Sequence, residues 1–145
     1  MGQIVVDSSV AIKWFVVEPL SEQALWILEG YRVGELTLLA PDLINAEIGN
    51  IVWKKRMMQG LSAADAQAII DAFRTLVFVC TSSADLLDDA YQLAMKYQRT
   101  VYDSLYLALC LRENCPFVTA DEKLVNAVNK QLSNVVWLGH WTERR

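Results

Sequence analysis

Short apolar segments alternate with helical segments along the chain, and this alternation constrains the fold more than any other feature of the sequence. The strand predictions cover residues 3–6, 36–40, 77–80, 116–119 and 134–138. The helix predictions cover residues 9–17, 19 to 30 or 34, 41–58, 61–76, 84–98, 101–114 and 121–130. Strands that alternate with helices in this way form parallel sheets covered on both faces. We therefore predict an α/β fold, a three-layer α/β/α sandwich with a mostly parallel central sheet.

Length and composition favour one compact domain. The chain has 145 residues, of which 54% are hydrophobic, and no repeat, low-complexity tract or linker divides it. This is ample material for one core, so we interpret residues 1–145 as a single domain. The apolar runs are far shorter than the roughly 20 residues of a membrane span. Because the first run contains Asp7 and Lys13, it does not resemble a secretory signal, and we expect a cytoplasmic protein.

Four aspartates lie near predicted helix starts, where an acidic side chain has an ordinary structural role. Asp7 follows the first strand and Asp121 follows the strand that ends at Thr119. Both are expected at the carboxyl edge of the sheet, where such folds bind ligands. Asp103 lies near the start of a very apolar helix, and Asp42 begins another helix. Taken singly, each is best interpreted as a helix cap, because its oxygens accept hydrogen bonds from free backbone N–H groups.

Glu47 does not fit a capping role. It lies within the apolar stripe of Ile44, Ile48 and Ile51, a full turn past the start of its helix. A carboxylate that faces the core costs several kcal/mol unless it is paired or bound to a metal. No basic residue lies three or four positions away to pair with it. Asp103 also has apolar neighbours on its own helix face, so both acids favour a polar site over a cap.

An oxygen-rich metal site explains these acids best. Carboxylates that converge at one edge of a sheet repel each other and cannot all stay ionised without compensation. Mg²⁺ and Mn²⁺ prefer oxygen ligands of this kind. The chain has one histidine, His140, and its three cysteines form no CxxC motif, so a zinc site is disfavoured. The single histidine also argues against Ser/His or Cys/His nucleophile schemes.

The net charge leaves nucleic-acid binding open. Thirteen Lys+Arg against seventeen Asp+Glu give a formal charge of −4, which argues mildly against a nucleic-acid partner. If four clustered acids bind divalent cations, thirteen acids remain against thirteen bases. The repulsion toward phosphate is then removed. Net charge therefore does not decide the class of ligand.

Four segments resemble, in order and spacing, the four acidic blocks of PIN-domain nucleases, with the closest likeness to VapC-type toxins of prokaryotic toxin–antitoxin pairs. The segments are IVVDSSVAIKWF, APDLINAEIGNIVWKK, TVYDSLYLALC and FVTADEKLVNAV. The resemblance implies catalytic, metal-binding roles for four acids: Asp7, Glu47, Asp103 and Asp121. It implies supporting hydroxyl groups at Ser9 and Thr119. Between residues 60 and 98 only the helical character agrees.

The resemblance also implies an activity and partners. The activity is hydrolysis of RNA phosphodiester bonds by an endoribonuclease that uses one or two Mg²⁺ or Mn²⁺ ions. The expected substrate is single-stranded or looped RNA, whose backbone can enter a cleft. The expected protein partners are a second copy of the chain, in a homodimer, and a VapB-like antitoxin whose tail blocks the acidic pocket. We expect no membrane association.

Basic and aromatic residues are weaker candidates for these contacts. The basic candidates for RNA phosphates are Lys13, Lys54, Lys55, Arg56 and Arg99. Three of them end a helix, where cations also interact favourably with the helix dipole. The aromatic candidates for either the core or a partner surface are Trp14, Phe15, Trp26 and Trp53.

Three alternative functions stay open at the level of sequence. A housekeeping PIN nuclease in RNA processing or decay would share every catalytic residue. A phospho-accepting signalling domain also has aspartates at strand ends, but it usually needs an acidic pair after the first strand, where this chain has Ser8 and Ser9. A non-catalytic binding module would explain the fold but not Glu47 and Asp103 on apolar helix faces.

Overall fold

The computed structural model describes residues 2–143, which contain one five-stranded sheet. The strands are β1 (Gly2–Val6), β2 (Leu36–Pro41), β3 (Val79–Thr81), β4 (Phe117–Thr119) and β5 (Val135–Trp137). Their order is β3-β2-β1-β4-β5, and every neighbouring pair is parallel. The connections run to one side of β1 and then to the other. The carboxyl ends of β1 and β4 therefore flank the topological switch point, where ligands bind in open parallel sheets.

Helices form the outer layers. They are α1 (Ser8–Ala11), α2 (Ser21–Arg32), α3 (Leu43–Met58), α4 (Ala63–Arg74), α5 (Ser83–Tyr97), α6 (Val101–Glu113) and α7 (Glu122–Val128). Two short 3-10 turns follow α1 and β5. Among the helices of residues 2–143, none is both long and apolar enough to cross a bilayer.

The core lies between the sheet and the helices. Ile4, Val5 and Val6 of β1 are completely buried, as are Phe117 and Val118 of β4. Helix α6 packs against β1, β2, β4 and α5. Its residues 104–110 are all buried, so the apolar character extends around the helix, as expected for a helix enclosed by the core.

The first helix is shorter than predicted. We expected a helix over residues 9–17, but the chain leaves regular helix after a 3-10 turn that ends at Trp14. Pro19 disfavours helical backbone at the preceding residue, so the helix does not continue into α2. The indole Nε1 of Trp14 donates a hydrogen bond to the carbonyl of Ala24 at 2.7 Å and fixes this turn against α2.

The third strand begins later than predicted. We expected residues 77–80, whereas β3 covers Val79–Thr81. The backbone N–H of Val77 donates instead to the hydroxyl of Tyr31 at 2.9 Å. Because β3 pairs only with β2, it is an edge strand, and its residues are more exposed than those of the central strands.

The capping role predicted for Asp42 is wrong. Its side chain makes no hydrogen bond to the start of α3, because its backbone is helical (φ −61°, ψ −17°) rather than extended as in a typical N-cap. Its Oδ1 instead accepts hydrogen bonds from the backbone N–H (3.1 Å) and the hydroxyl (2.6 Å) of Ser83 in α5. By contrast, Ser62 caps α4, since its hydroxyl accepts from the Asp65 N–H at 3.1 Å.

Candidate active site

The four predicted acids lie on four elements around the carboxyl ends of β1 and β4. Asp7 directly follows β1, and Asp121 follows β4 by two residues. Glu47 lies in the second turn of α3 and Asp103 in the first turn of α6. Asp7 interacts electrostatically with Glu47, Glu47 with Asp103, and Asp103 with Asp121. Asp7, Glu47 and Asp103 are thus each affected by the charge of the next acid, and we call the four acids the acidic row.

Asp7 caps α1 and is also buried within the site. Its Oδ1 accepts from the backbone N–H groups of Ser9 (3.1 Å) and Val10 (3.3 Å), and its Oδ2 accepts from the Thr119 hydroxyl (2.6 Å). Only 9% of the residue is exposed. Burial raises the pKa of Asp7 to about 6, although the hydrogen bonds from Ser9 and Thr119 lower it, and the negative charge of Glu47 raises it further. The cap and the site thus use the same carboxylate.

Two hydroxyl groups join the ends of β1 and β4. While Thr119 donates to Asp7, its Oγ1 accepts from the backbone N–H of Asp121 at 3.1 Å. The Ser9 hydroxyl also donates to Asp7 and accepts from the backbone N–H of Ala120 at 3.0 Å. The two residues predicted to support the site therefore fix Asp7 relative to the loop that carries Asp121.

Glu47 accepts a hydrogen bond from Tyr106, a residue that the sequence did not predict for the site. The hydroxyl of Tyr106 donates to Glu47 Oε1 at 2.5 Å, and the Tyr106 ring stacks on Phe117 with centroids 5.5 Å apart. Burial raises the pKa of Glu47; hydrogen bonds from Tyr106 and Ser8 lower it, and the charge of Asp103 raises it. Burial and the nearby carboxylates also raise the pKa of Tyr106, so it acts as a donor. In the sequence, the position of Tyr106 one helical turn after Asp103 is the feature that could have identified it as a residue of the site.

Asp103 and Asp121 face an arginine. Arg99 Nη2 lies 3.2 Å from Asp103 Oδ2 and 3.8 Å from Asp121 Oδ2. Burial raises the pKa of Asp103 even though Arg99 lowers it, and Asp121 raises it further. The Asp103 N–H donates to Thr100 Oγ1 (3.0 Å), and Asp121 Oδ1 caps α7 by accepting from the Leu124 N–H (3.1 Å). The side chain that caps α6 is thus that of Thr100, and the Asp103 carboxylate does not act as the cap.

The sequence matches a known domain family over most of its length. The family model of the PIN domain matches residues 4–130. This chain belongs to the PIN-domain family. The match begins in β1 and ends just beyond α7, so it spans all four predicted acids.

Two relatives of this PIN domain are ribonucleases by name. Ribonuclease VapC3 of Pyrobaculum aerophilum is 32% identical over 126 residues, which cover 84% of this chain and 92% of that protein. Ribonuclease VapC1 of Mycobacterium tuberculosis is 32% identical over 89 residues, which cover 61% of this chain and 65% of that protein. Within the PIN-domain family, the chain groups with the VapC-type members.

Crystal structures of two proteins share the fold of this PIN domain. PAE2754 from Pyrobaculum aerophilum superposes with a TM-score of 0.64 at 17% identity, over 95% of this chain and 92% of that one. VapC20 of Mycobacterium tuberculosis, a sarcin–ricin loop cleaving toxin, superposes with a TM-score of 0.58 at 14% identity, over 98% of both chains. These superpositions confirm the predicted three-layer α/β/α fold, with a sheet that is parallel throughout the described residues.

The basic candidates in this PIN domain differ in their contacts. Lys13 and Lys55 both pair with Glu18, at 2.9 and 3.2 Å, and are mostly buried. This cluster joins the loop after α1 to the end of α3. Arg56 donates to the backbone carbonyl of residue 61 at 3.2 Å, and Lys54 is exposed. Of the five predicted basic residues, Arg99 is the one with ion pairs to the predicted acids.

The acids of this PIN domain provide the type of ligand atom that a hard divalent cation prefers. They offer oxygen ligands only, and mutual repulsion contributes to the raised pKa of Asp7, Glu47 and Asp103, which a cation would relieve. Over residues 2–143, however, no three acidic, histidine or cysteine side chains are close enough together to hold a metal ion. Asp103 and Asp121 turn toward Arg99 instead. Cation binding would therefore require side chains to move, while the backbone elements are in place.

Proposed function

We propose that this chain, as a single PIN domain over residues 1–145, is a metal-dependent endoribonuclease and the toxin of a toxin–antitoxin pair. The observation that carries the proposal is the acidic row, whose four members lie on or beside four different elements at the carboxyl edge of the sheet. A cap needs one carboxylate at one helix, whereas this row concentrates negative charge that needs compensation. The names of the VapC3 and VapC1 relatives support RNA as the substrate.

The proposed ligands of one or two Mg²⁺ or Mn²⁺ ions are Asp7, Glu47, Asp103 and Asp121. When bound, such an ion would polarise the phosphoryl oxygens of the substrate and lower the pKa of a bound water. We propose that the acids hold the ion or ions and that the RNA enters as a single-stranded or looped segment. Arg99 is the proposed contact for a backbone phosphate near the site.

The remaining residues of the site position the acids. Ser9 and Thr119 hold both oxygens of Asp7, so this carboxylate has little freedom to rotate. Glu47 accepts hydrogen bonds from Tyr106, at Oε1, and from Ser8. Pre-positioned groups of this kind lower the reorganisation needed during reaction. Their proposed role is therefore to orient ligands, without contact with the reacting atoms.

We also propose a cytoplasmic protein that binds a VapB-like antitoxin and forms a homodimer. The exposed end of α3 supports a protein partner, because Trp53, Met57 and Met58 are all more than half exposed there. Of the other aromatic candidates, Trp14 is buried, while Phe15 and Trp26 are partly buried. These exposures support a role in the core for Trp14 and a role in a partner surface for Trp53.

Expression in a bacterial host tests the toxin role. The wild-type chain is expected to arrest growth, because uncontrolled RNA cleavage stops protein synthesis. Asp121→Ala should relieve the arrest, and so should co-expression of the neighbouring upstream reading frame, which would encode the antitoxin. Growth curves at matched protein levels measure the effect. Unimpaired growth with the wild type, combined with metal-dependent RNA cleavage by the purified protein, would favour a housekeeping nuclease instead.

Replacement of Tyr106 tests the positioning of Glu47. Tyr106→Phe is expected to lower the rate of RNA cleavage about tenfold, or about 1.4 kcal/mol, because Glu47 loses the donor that orients it. The phenyl ring can still stack on Phe117, so the fold should be unaffected. Tyr102→Phe, at an exposed position of the same helix, is the matched control. Equal rates for Tyr106→Phe and the control would contradict this role.

A further inference from the structure

Arg99 lies where two acids of the proposed metal site meet. Its guanidinium nitrogen Nη2 is 3.2 Å from Asp103 Oδ2 and 3.8 Å from Asp121 Oδ2. One acid belongs to α6 and the other precedes α7, so a single cationic group joins two separate elements. Three quarters of the Arg99 side chain is buried, which makes this contact stronger than an ordinary surface ion pair.

The backbone on each side of Arg99 belongs to a helix end. Gln98 ends α5 in the left-handed conformation (φ 55°), and Thr100 caps α6 by accepting from the Asp103 N–H at 3.0 Å. The Nε of Arg99 is buried and has no hydrogen-bond partner within the described residues. A buried donor without a partner is unfavourable. The arginine therefore does not use its full set of donors in this position.

Arg99 and a divalent cation need the same oxygen atoms. Both of its ion pairs use Oδ2 atoms of acids that are proposed cation ligands. A guanidinium group at these oxygens also places a positive charge next to any incoming cation, which disfavours binding. The arrangement accounts for the lack of a preformed three-ligand cluster within residues 2–143, because two of the four acids are already engaged.

We propose that Arg99 is a resident cation that competes with the divalent ion for Asp103 and Asp121, so that metal loading requires displacement of its side chain. This inference rests on the proposed metal-dependent function and adds that Arg99 limits the loading of the metal. In the metal-free protein, Arg99 compensates part of the charge of the acidic row. Once displaced, its Nε and Nη groups form the planar fork that binds two oxygens of a phosphate, so the same side chain is released toward the substrate.

Titration of the metal-free protein with Mn²⁺ in the absence of RNA tests this competition by isothermal calorimetry. Arg99→Gln should bind Mn²⁺ at least about tenfold more tightly than the wild type, because the competing charge is gone. Arg99→Lys, which keeps the charge but not the planar fork, should give an intermediate affinity. The matched control is Lys123→Gln, which removes the same charge from an exposed position two residues after Asp121. Its affinity should stay within about threefold of that of the wild type.

Each result decides the proposal. Tighter binding by Arg99→Gln alone supports competition at the shared oxygens. Equal binding by a folded Arg99→Gln overturns it, and weaker binding overturns it and shows that Arg99 supports the metal site. An equal gain in Lys123→Gln also overturns it, because net charge would then be the cause. If neither the wild type nor Arg99→Gln binds Mn²⁺ at millimolar concentration, the proposed metal-dependent function falls together with this inference. Circular dichroism of each variant confirms folding.

Discussion

Asp103→Asn is expected to cleave RNA about a thousandfold more slowly than the wild type, a loss of about 4 kcal/mol in transition-state stabilisation. The replacement removes one negative charge from the acidic row without a change in side-chain size, so the proposed site loses a ligand for the cation that activates water. The fold should survive, because the backbone N–H at position 103 keeps Thr100 Oγ1 as its acceptor. Cleavage of a labelled RNA in Mg²⁺ or Mn²⁺ measures the rate, and circular dichroism verifies the fold.

Asp42→Asn is the matched control for this experiment. Asp42 follows β2 and is also an acid at a strand end, but it is exposed and its carboxylate binds Ser83. Its replacement should leave the cleavage rate within about twofold of the wild-type rate, with a small loss of stability from the weaker contact. Wild-type protein stripped with EDTA should be inactive until Mg²⁺ or Mn²⁺ is restored. The assignment fails if Asp103→Asn retains more than about a tenth of the activity or if Asp42→Asn loses as much.

Glu47 shows how far the sequence alone can locate a site. Helical periodicity is a local property, so the stripe of Ile44 and Ile48 could be identified without knowledge of the fold. Both isoleucines are completely buried in the structure, and Glu47 lies half-buried between them. An acid at such a position needs a partner or a ligand. The same local reasoning predicted the strand after which Asp7 lies and most of the helix boundaries.

Contacts between distant residues could not be predicted in this way. Tyr106 and Glu47 are 59 positions apart, and Asp42 and Ser83 are 41 apart. Whether a tyrosine hydroxyl on a buried helix meets a carboxylate depends on how that helix packs against its neighbours. The helix pattern determines which face is apolar but not which element packs against it. For the same reason, the contact of Arg99 with Asp121 on another element was not expected, although Arg99 and Asp103 are only four positions apart in the sequence.

Asp7 links the chemistry of the site to the stability of the protein. The pKa of its carboxyl is raised from an ordinary value of 3.8 to about 6, first because of burial and also because of the charge of Glu47. When the pH lies between these two pKa values, the folded metal-free protein binds more protons than the unfolded chain. The free energy of unfolding therefore falls as the pH rises from about 4 to about 6. Above that range the ionised carboxylate costs up to about 3 kcal/mol of stability, since one pKa unit corresponds to about 1.4 kcal/mol.

Asp7→Asn is therefore expected to stabilise the metal-free protein at pH 7.5 by about 1–3 kcal/mol while it removes RNA cleavage. The amide oxygen can still accept from the N–H groups that Asp7 caps, since asparagine is an equally good N-cap, and the neutral side chain carries no burial penalty for charge. Urea unfolding in EDTA at several pH values measures the free energy.

The variant should lose the part of the pH dependence between pH 4 and 6 that Asp7 contributes. Added Mg²⁺ should raise the stability of the wild type more than that of Asp7→Asn, because only the wild type retains the Asp7 carboxylate as a ligand for the ion. Lower stability of Asp7→Asn at pH 7.5, with an unchanged slope, would contradict this prediction and show that the ionised carboxylate stabilises the fold more than its burial costs.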